Sequence, residues 1–294
     1  MLNFHPPGIG QRIIPTVLGE MVCYIAVGSP WQVASGDHPP IVFLHSFGGG
    51  ASAYEWSKVY PAFLDSHPVF AADLIGWGQS AHPVRDFTID DYLTTIQELI
   101  EQTCTTPPIV VAASLTGAIV LRLAVLQPDL FHSLVLVCPS GFADFGEDAG
   151  RRLPLQMINT PIVDQFIYTL GATTEVSVRN FLERFLFAQP DRVSEEMVQA
   201  YLASARQPNA EFAALAFLRG DLYFDLARYI SQLTTPTVMV WGKQAQFTRL
   251  ELGQRLAQLN PIAVKAFIPV PDAGVLVHLE QPETVIGLLQ RFVT

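Results

Sequence analysis

Val110-Val111-Ala112-Ala113-Ser114-Leu115-Thr116-Gly117-Ala118 passes from β-branched residues through small ones into a helix-forming stretch, with a serine at the change. Ile109 to Ala113 is a short apolar run without alternation, the pattern of a strand buried on both faces, and Thr116 to Leu126 continues as a helix with Pro128 beyond its end. A sharp strand-to-helix bend lifts a hydroxyl clear of the sheet and sets it at a helix N-terminus. There the dipole and the unpaired N–H groups favour a developing negative charge. Small residues must flank such a bend because the backbone passes close to its neighbours. Ala112 satisfies that requirement, whereas Thr116 is bulkier.

Outward from this bend, more runs of the same kind appear at Ile41 to Leu44, Val69 to Ala72, Leu134 to Val137, Val238 to Trp241 and Val264 to Val270. Helical patterns lie between them: Thr88 to Cys104, Leu250 to Leu259 ending at Asn260-Pro261, and Pro282 to Phe292. The alternation predicts an α/β chain with a doubly wound, mostly parallel sheet. Arg12 to Gly28, with Gly19 between two apolar runs, reads as an antiparallel hairpin on the sheet edge.

From Gly141 to Thr235 helical spacing continues without strands, and Ser194 followed by Glu195-Glu196 marks a helix start. This divides the chain into a core, residues 1–140 and 236–294, and an inserted helical lid, residues 141–235. Phe166, Ile167, Tyr168, Phe181, Phe185, Phe187, Phe212 and Phe217 make the insertion rich in apolar side chains. Helix packing accounts for most of them, and a water-poor cavity beneath the insertion for the remainder.

With 294 residues, half of them apolar, one large domain with an insertion can bury a sizeable core. A net charge of −10 without a Lys/Arg-rich stretch argues against nucleic-acid partners. Cys23, Cys104 and Cys138 are too few for a disulfide framework, and no His/Cys spacing suggests a metal. Gly48-Gly49-Gly50 lacks the spacing of a phosphate cradle, so no cofactor is expected. The start of the sequence lacks a secretory pattern, and Ile109 to Leu126, broken by Arg122, reads as strand and helix rather than a membrane span. A cytoplasmic protein is expected, with an oligomer or a peripheral membrane contact left open by the low charge content.

Four segments in order carry a resemblance: Leu44-His45-Ser46-Phe47-Gly48, Asp73-Leu74-Ile75-Gly76-Trp77-Gly78-Gln79-Ser80, the bend at Ser114, and Trp241-Gly242 with Asp272-Ala273-Gly274. Together they resemble the α/β-hydrolase superfamily over nearly the whole chain, and Gly50-Ala51-Ser52-Ala53-Tyr54-Glu55-Trp56 with the Pro83 to Tyr92 stretch resembles its lid-bearing, epoxide-hydrolase-like and esterase-like branch. The resemblance implies Ser114 as nucleophile position and the backbone N–H groups of Leu115 and Phe47 as oxyanion donors. It sets Ser46 where glycine is commoner, and His45 packing or hydrogen bonding beneath that loop. It also implies that Asp73 anchors the Gly76-Trp77-Gly78 turn. The positions of the triad acid and base fall on Ala245 and Val275, and neither side chain can take a proton or orient a base.

His278, three residues past Val275, is the candidate substitute base, facing another direction; a structural role competes with it. The remaining histidines read as surface groups, and Asp144, Glu147 and Asp148 as a solvated loop. Two functions follow. One is a hydrolase-fold protein without working triad chemistry that binds an apolar small molecule or presents a partner surface. The other is a serine hydrolase of a hydrophobic ester or amide through Ser114 with a non-standard base.

Overall fold

The computed structural model describes residues 4–31, 38–147, 168 and 171–293; Asp148, Phe166 and Ile167, singled out above, lie outside these residues. Eight strands form one sheet: β1 (Ile9–Thr16), β2 (Gly19–Ala26), β3 (Ile41–Leu44), β4 (Val69–Ala72), β5 (Ile109–Ala113), β6 (Ser133–Val137), β7 (Thr237–Gly242) and β8 (Val264–Val270). Their order is β1-β2-β4-β3-β5-β6-β7-β8. All neighbours from β4 through β8 pair in parallel, while β1 and β2 form the expected antiparallel hairpin and β2 joins β4 antiparallel. Strands β3, β5 and β7 are buried along their whole length and β8, at the edge, is partly exposed, which is why β8 admits Lys265 while no charged residue stands in the inner strands.

Helix α1 (Ile89–Thr103) starts with a reciprocal capping box, the Thr88 hydroxyl accepting from Asp91 N–H and the Asp91 carboxylate accepting from Thr88 N–H. Such caps contribute about 1 kcal/mol, and this one fixes the start of the helix where Thr88 implied it. Helix α2 (Ser114–Leu126) begins two residues earlier than the sequence pattern. The cause is local: Ser114 itself takes a left-handed φ of 54°, which turns the chain from strand to helix within one residue.

Between β6 and β7 the described residues contain helices and no named strand: α3 (Glu175–Phe181) continuing into a π-helical turn (Leu182–Leu186), α4 (Glu195–Ala205), α5 (Glu211–Arg219) and α6 (Ala227–Ile230). Ser194 caps α4 by accepting from Met197 N–H. The remaining helices, α7 (Leu250–Gln258), α8 (Val277–Glu280) and α9 (Pro282–Phe292), follow the last strands. Among the described residues no helix is long and apolar enough to cross a membrane.

The insertion is tied to the core through a few buried polar groups. Tyr201 of α4 donates from its hydroxyl to Glu55 Oε1 at 2.8 Å, and Ser204 donates to the Ala51 carbonyl while accepting from Gly78 N–H. On the far side Glu280 accepts from the N–H groups of Ala188, Gln189 and Gly274. Val275 N–H donates to the Leu186 carbonyl at 2.9 Å. The insertion is thus hydrogen-bonded through residues 186–189 and 201–204 to segments that follow the C-terminal ends of the parallel strands.

Candidate active site

Three non-glycine residues with left-handed φ sit just beyond parallel strands: Ser114 after β5 (54°), Cys138 after β6 (46°) and Asp272 after β8 (52°). Each such backbone is disfavoured by roughly 1–2 kcal/mol, so strain is gathered along the sheet edge where open α/β sheets bind ligands. Gly242 closes this edge. A Cβ there would lie 1.9 Å from the Gly274 carbonyl oxygen, so only glycine lets the end of β7 approach the 272–276 segment.

Above this edge, under the insertion, lies a cavity of about 590 Å³. Its wall is mostly aromatic and aliphatic, with Phe47, Phe142, Phe181, Phe217, Phe247 and Val275 among its members, and Ser46 and Ser114 on the core side. Ser114 is nearly buried, its carbonyl accepts from Ser140 N–H, and its hydroxyl has no hydrogen bond to protein among the described residues. Among the described residues the Phe47 N–H has no partner, and the Leu115 N–H lies in the first helical turn, which offers no acceptor within the helix.

Two side chains hold these elements together. Thr116, the departure from a small residue noted above, is fully buried and donates to the His45 carbonyl at 2.6 Å, binding helix α2, and with it the strand-to-helix elbow at Ser114, to the loop after β3. His45 donates from Nδ1 to the Ser46 carbonyl and accepts at Nε2 from Leu74 N–H. It therefore acts beneath the loop, away from the cavity wall. Asp73 braces the next turn as the resemblance implied, accepting from Gln79 N–H, Ala53 N–H and the Tyr24 hydroxyl.

Of the positions assigned to a missing acid and base, Val275 faces the cavity with Ser114, and Ala245 is buried at the turn after β7, its N–H donating to the Gly242 carbonyl. His278 is fully buried and absent from the cavity wall. Its ring stacks on Trp56 with centroids 3.8 Å apart, and Nε2 lies 3.4 Å from Glu55 Oε2. Burial lowers the pKa of His278 against the opposing pull of Glu55, and Nδ1 has no partner among the described residues. Burial pushes the Glu55 carboxyl up, but His278, His45 and the Ser46 N–H outweigh it and leave Glu55 below the ordinary range. Glu55 also accepts from the Ser46 hydroxyl at 2.8 Å, which turns that hydroxyl toward the core.

Glu55 is a residue to which sequence reasoning gave no role of its own. It sits in the buried turn Ala53–Trp56, and a lone carboxylate among Tyr54 and Trp56 after a glycine run was the available signal. Two further expectations need correction. Asp144 is no solvated loop residue: it is 1% exposed and accepts from the Ser140 hydroxyl and from Gly141 and Leu226 N–H groups, joining the start of the insertion to its end. Nor are all the other histidines at the surface. His67 is buried against the Val293 carbonyl, and His5 stacks on Tyr24 at 3.7 Å and pairs with the Tyr60 hydroxyl. Cys138, next to the elbow, is pushed up to about 12 by burial and is no thiolate nucleophile at neutral pH. Among the described residues no three His, Cys, Asp or Glu side chains come together in a group that could hold a metal ion.

Residues 41–288 match the model of the alpha/beta hydrolase family, and the chain belongs to that family. It is similar to the uncharacterised hydrolase YugF of Bacillus subtilis, 26% identical over 86% of this chain and 89% of that protein. It is also similar to Epoxide hydrolase 4 of Mus musculus, 22% identical over 92% of this chain and 79% of the other. Among solved structures, the epoxide hydrolase CorEH superposes with a TM-score of 0.78 at 21% identity, covering 97% of this chain and 98% of the other. Carboxylesterase CesB of Bacillus subtilis gives 0.74 at 16%, covering 99% and 93%. At these identities the superpositions establish the fold.

Proposed function

We propose that this chain is a hydrolase-fold protein without a conventional catalytic triad that binds an apolar small molecule in the cavity over Ser114. One observation carries the reading: the cavity wall that holds Ser114, whose hydroxyl meets no described partner, holds Val275 where the base would stand. The only histidine close by in sequence, His278, is engaged by Glu55 and Trp56 outside that wall. A serine hydroxyl without a base is a weak nucleophile, and loss of the acid at Ala245 accompanies loss of the base because each is useless alone. In this reading residues 141–235 form the lid, residues 1–140 and 236–294 the core, and the apolar wall supplies the binding energy.

The second reading, a serine hydrolase of a hydrophobic ester or amide, is favoured by the intact elbow and by the N–H groups of Phe47 and Leu115. Such a hole can by itself retain roughly 10³–10⁴-fold catalysis over water. A fluorophosphonate probe followed by intact mass, with Ser114→Ala and an active serine hydrolase alongside, separates the two. The binding reading expects no adduct on folded protein and a melting temperature that rises with apolar ligand; stabilisation reaches about 2.7 kcal/mol at a hundred times Kd. An adduct at Ser114 that Ser114→Ala abolishes would establish an activated hydroxyl and sink it.

A further inference from the structure

The cavity is apolar along most of its wall, but its rim is not electrically neutral. Among the described residues of that wall, Arg249 is the only basic side chain and Glu147 the only acidic one. Glu147 is already neutralised, its Oε1 accepting from Arg255 Nη1 at 2.7 Å, and Arg255 lies over the Phe145 ring at 4.1 Å. Arg249, exposed at the start of α7, makes no ion pair and no side-chain hydrogen bond among the described residues. On a chain of net charge −10, the described wall of the cavity thus carries one positive charge, at Arg249, that no described residue neutralises.

We propose that the ligand of this cavity is an amphipathic anion, its apolar body against the aromatic wall over Ser114 and its anionic head group at Arg249. The inference rests on the reading of the cavity as a ligand site. The planar guanidinium suits a carboxylate or phosphate head, presenting paired donors in a fixed fork. A neutral hydrocarbon would draw on the wall equally well but would leave Arg249 without a role. A cationic amphiphile would be repelled, since the one wall carboxylate is occupied by Arg255.

Decanoate and 1-decanol, alike in chain length and different in head group, are the probes, titrated calorimetrically into the full chain at low ionic strength. Decanoate is expected to bind about fivefold more tightly than decanol, and added salt should narrow the gap because the contact is at an exposed rim. Arg249→Gln should weaken decanoate by about fivefold and leave decanol within about twofold, with Arg249→Lys falling between, since an ammonium keeps the charge but not the fork. Glu147→Gln, which releases Arg255, should tighten decanoate. Equal binding of the two probes, or an Arg249→Gln effect shared by both, would overturn the head-group assignment while leaving the apolar site standing. No binding of either probe would overturn both.

Discussion

Ser114 carries a left-handed backbone, and its hydroxyl makes no hydrogen bond to protein among the described residues. Ser114→Gly should therefore raise stability by about 0.5–1 kcal/mol, relief of the strained φ outweighing the extra freedom of glycine when unfolded. A urea midpoint that stays put or falls would show that the serine is held favourably. The buried imidazoles give the pH dependence. Burial lowers His5 to about 4, and lowers His67, His82 and His278 from the ordinary value of 6.5. The unfolded chain then takes up protons near pH 6.5 while the folded chain resists. Stability present above pH 6.5 is lost on acidification toward pH 4. His5→Gln should flatten part of that slope in urea titrations across the window; an unchanged slope would mean that His5 protonates freely when folded.

At the scale of elements, one side of the joint between insertion and core centres on Glu280, whose buried carboxylate accepts from Ala188, Gln189 and Gly274 and faces Arg192 Nη1 at 3.5 Å. Three charge-assisted bonds lost together, with Gly274 N–H left buried, predict that Glu280→Ala costs about 3 kcal/mol. Hydrogen exchange should speed first around residues 186–189 and 274–275, since Val275 N–H is held by the Leu186 carbonyl. Uniform loss of protection would instead make Glu280 an ordinary core group. The strands and helix starts were legible beforehand because their signals are local: unbroken apolar runs at β3, β5 and β7, and the caps at Thr88 and Ser194. The start of α2 was missed by two residues because a left-handed serine has no mark in composition.

For the molecule as a whole, the decisive test is restoration. Val275 faces the cavity, which leaves room for a larger side chain, and Ala245 follows β7 in a buried turn. If the elbow and its N–H donors are sound, Ala245→Asp with Val275→His should produce esterase turnover on a short aromatic ester that Ser114→Ala then removes. Either single change should stay near background, because acid and base act as a unit. A folded but inert double variant would move the damage to the loop at Ser46, whose hydroxyl is turned to Glu55.

The sequence by itself determined the family, the order of strands and helices, the position of Ser114 and the identities at 245 and 275, since these depend on near neighbours along the chain or on motif order. Only the tertiary structure decided where the scattered polar groups went. Glu55, Tyr201 and His278 are drawn together from three separate stretches, and Asp144 from a segment that reads as solvated. Burial and partnership of a charge depend on what the fold brings around it, and no local pattern records that.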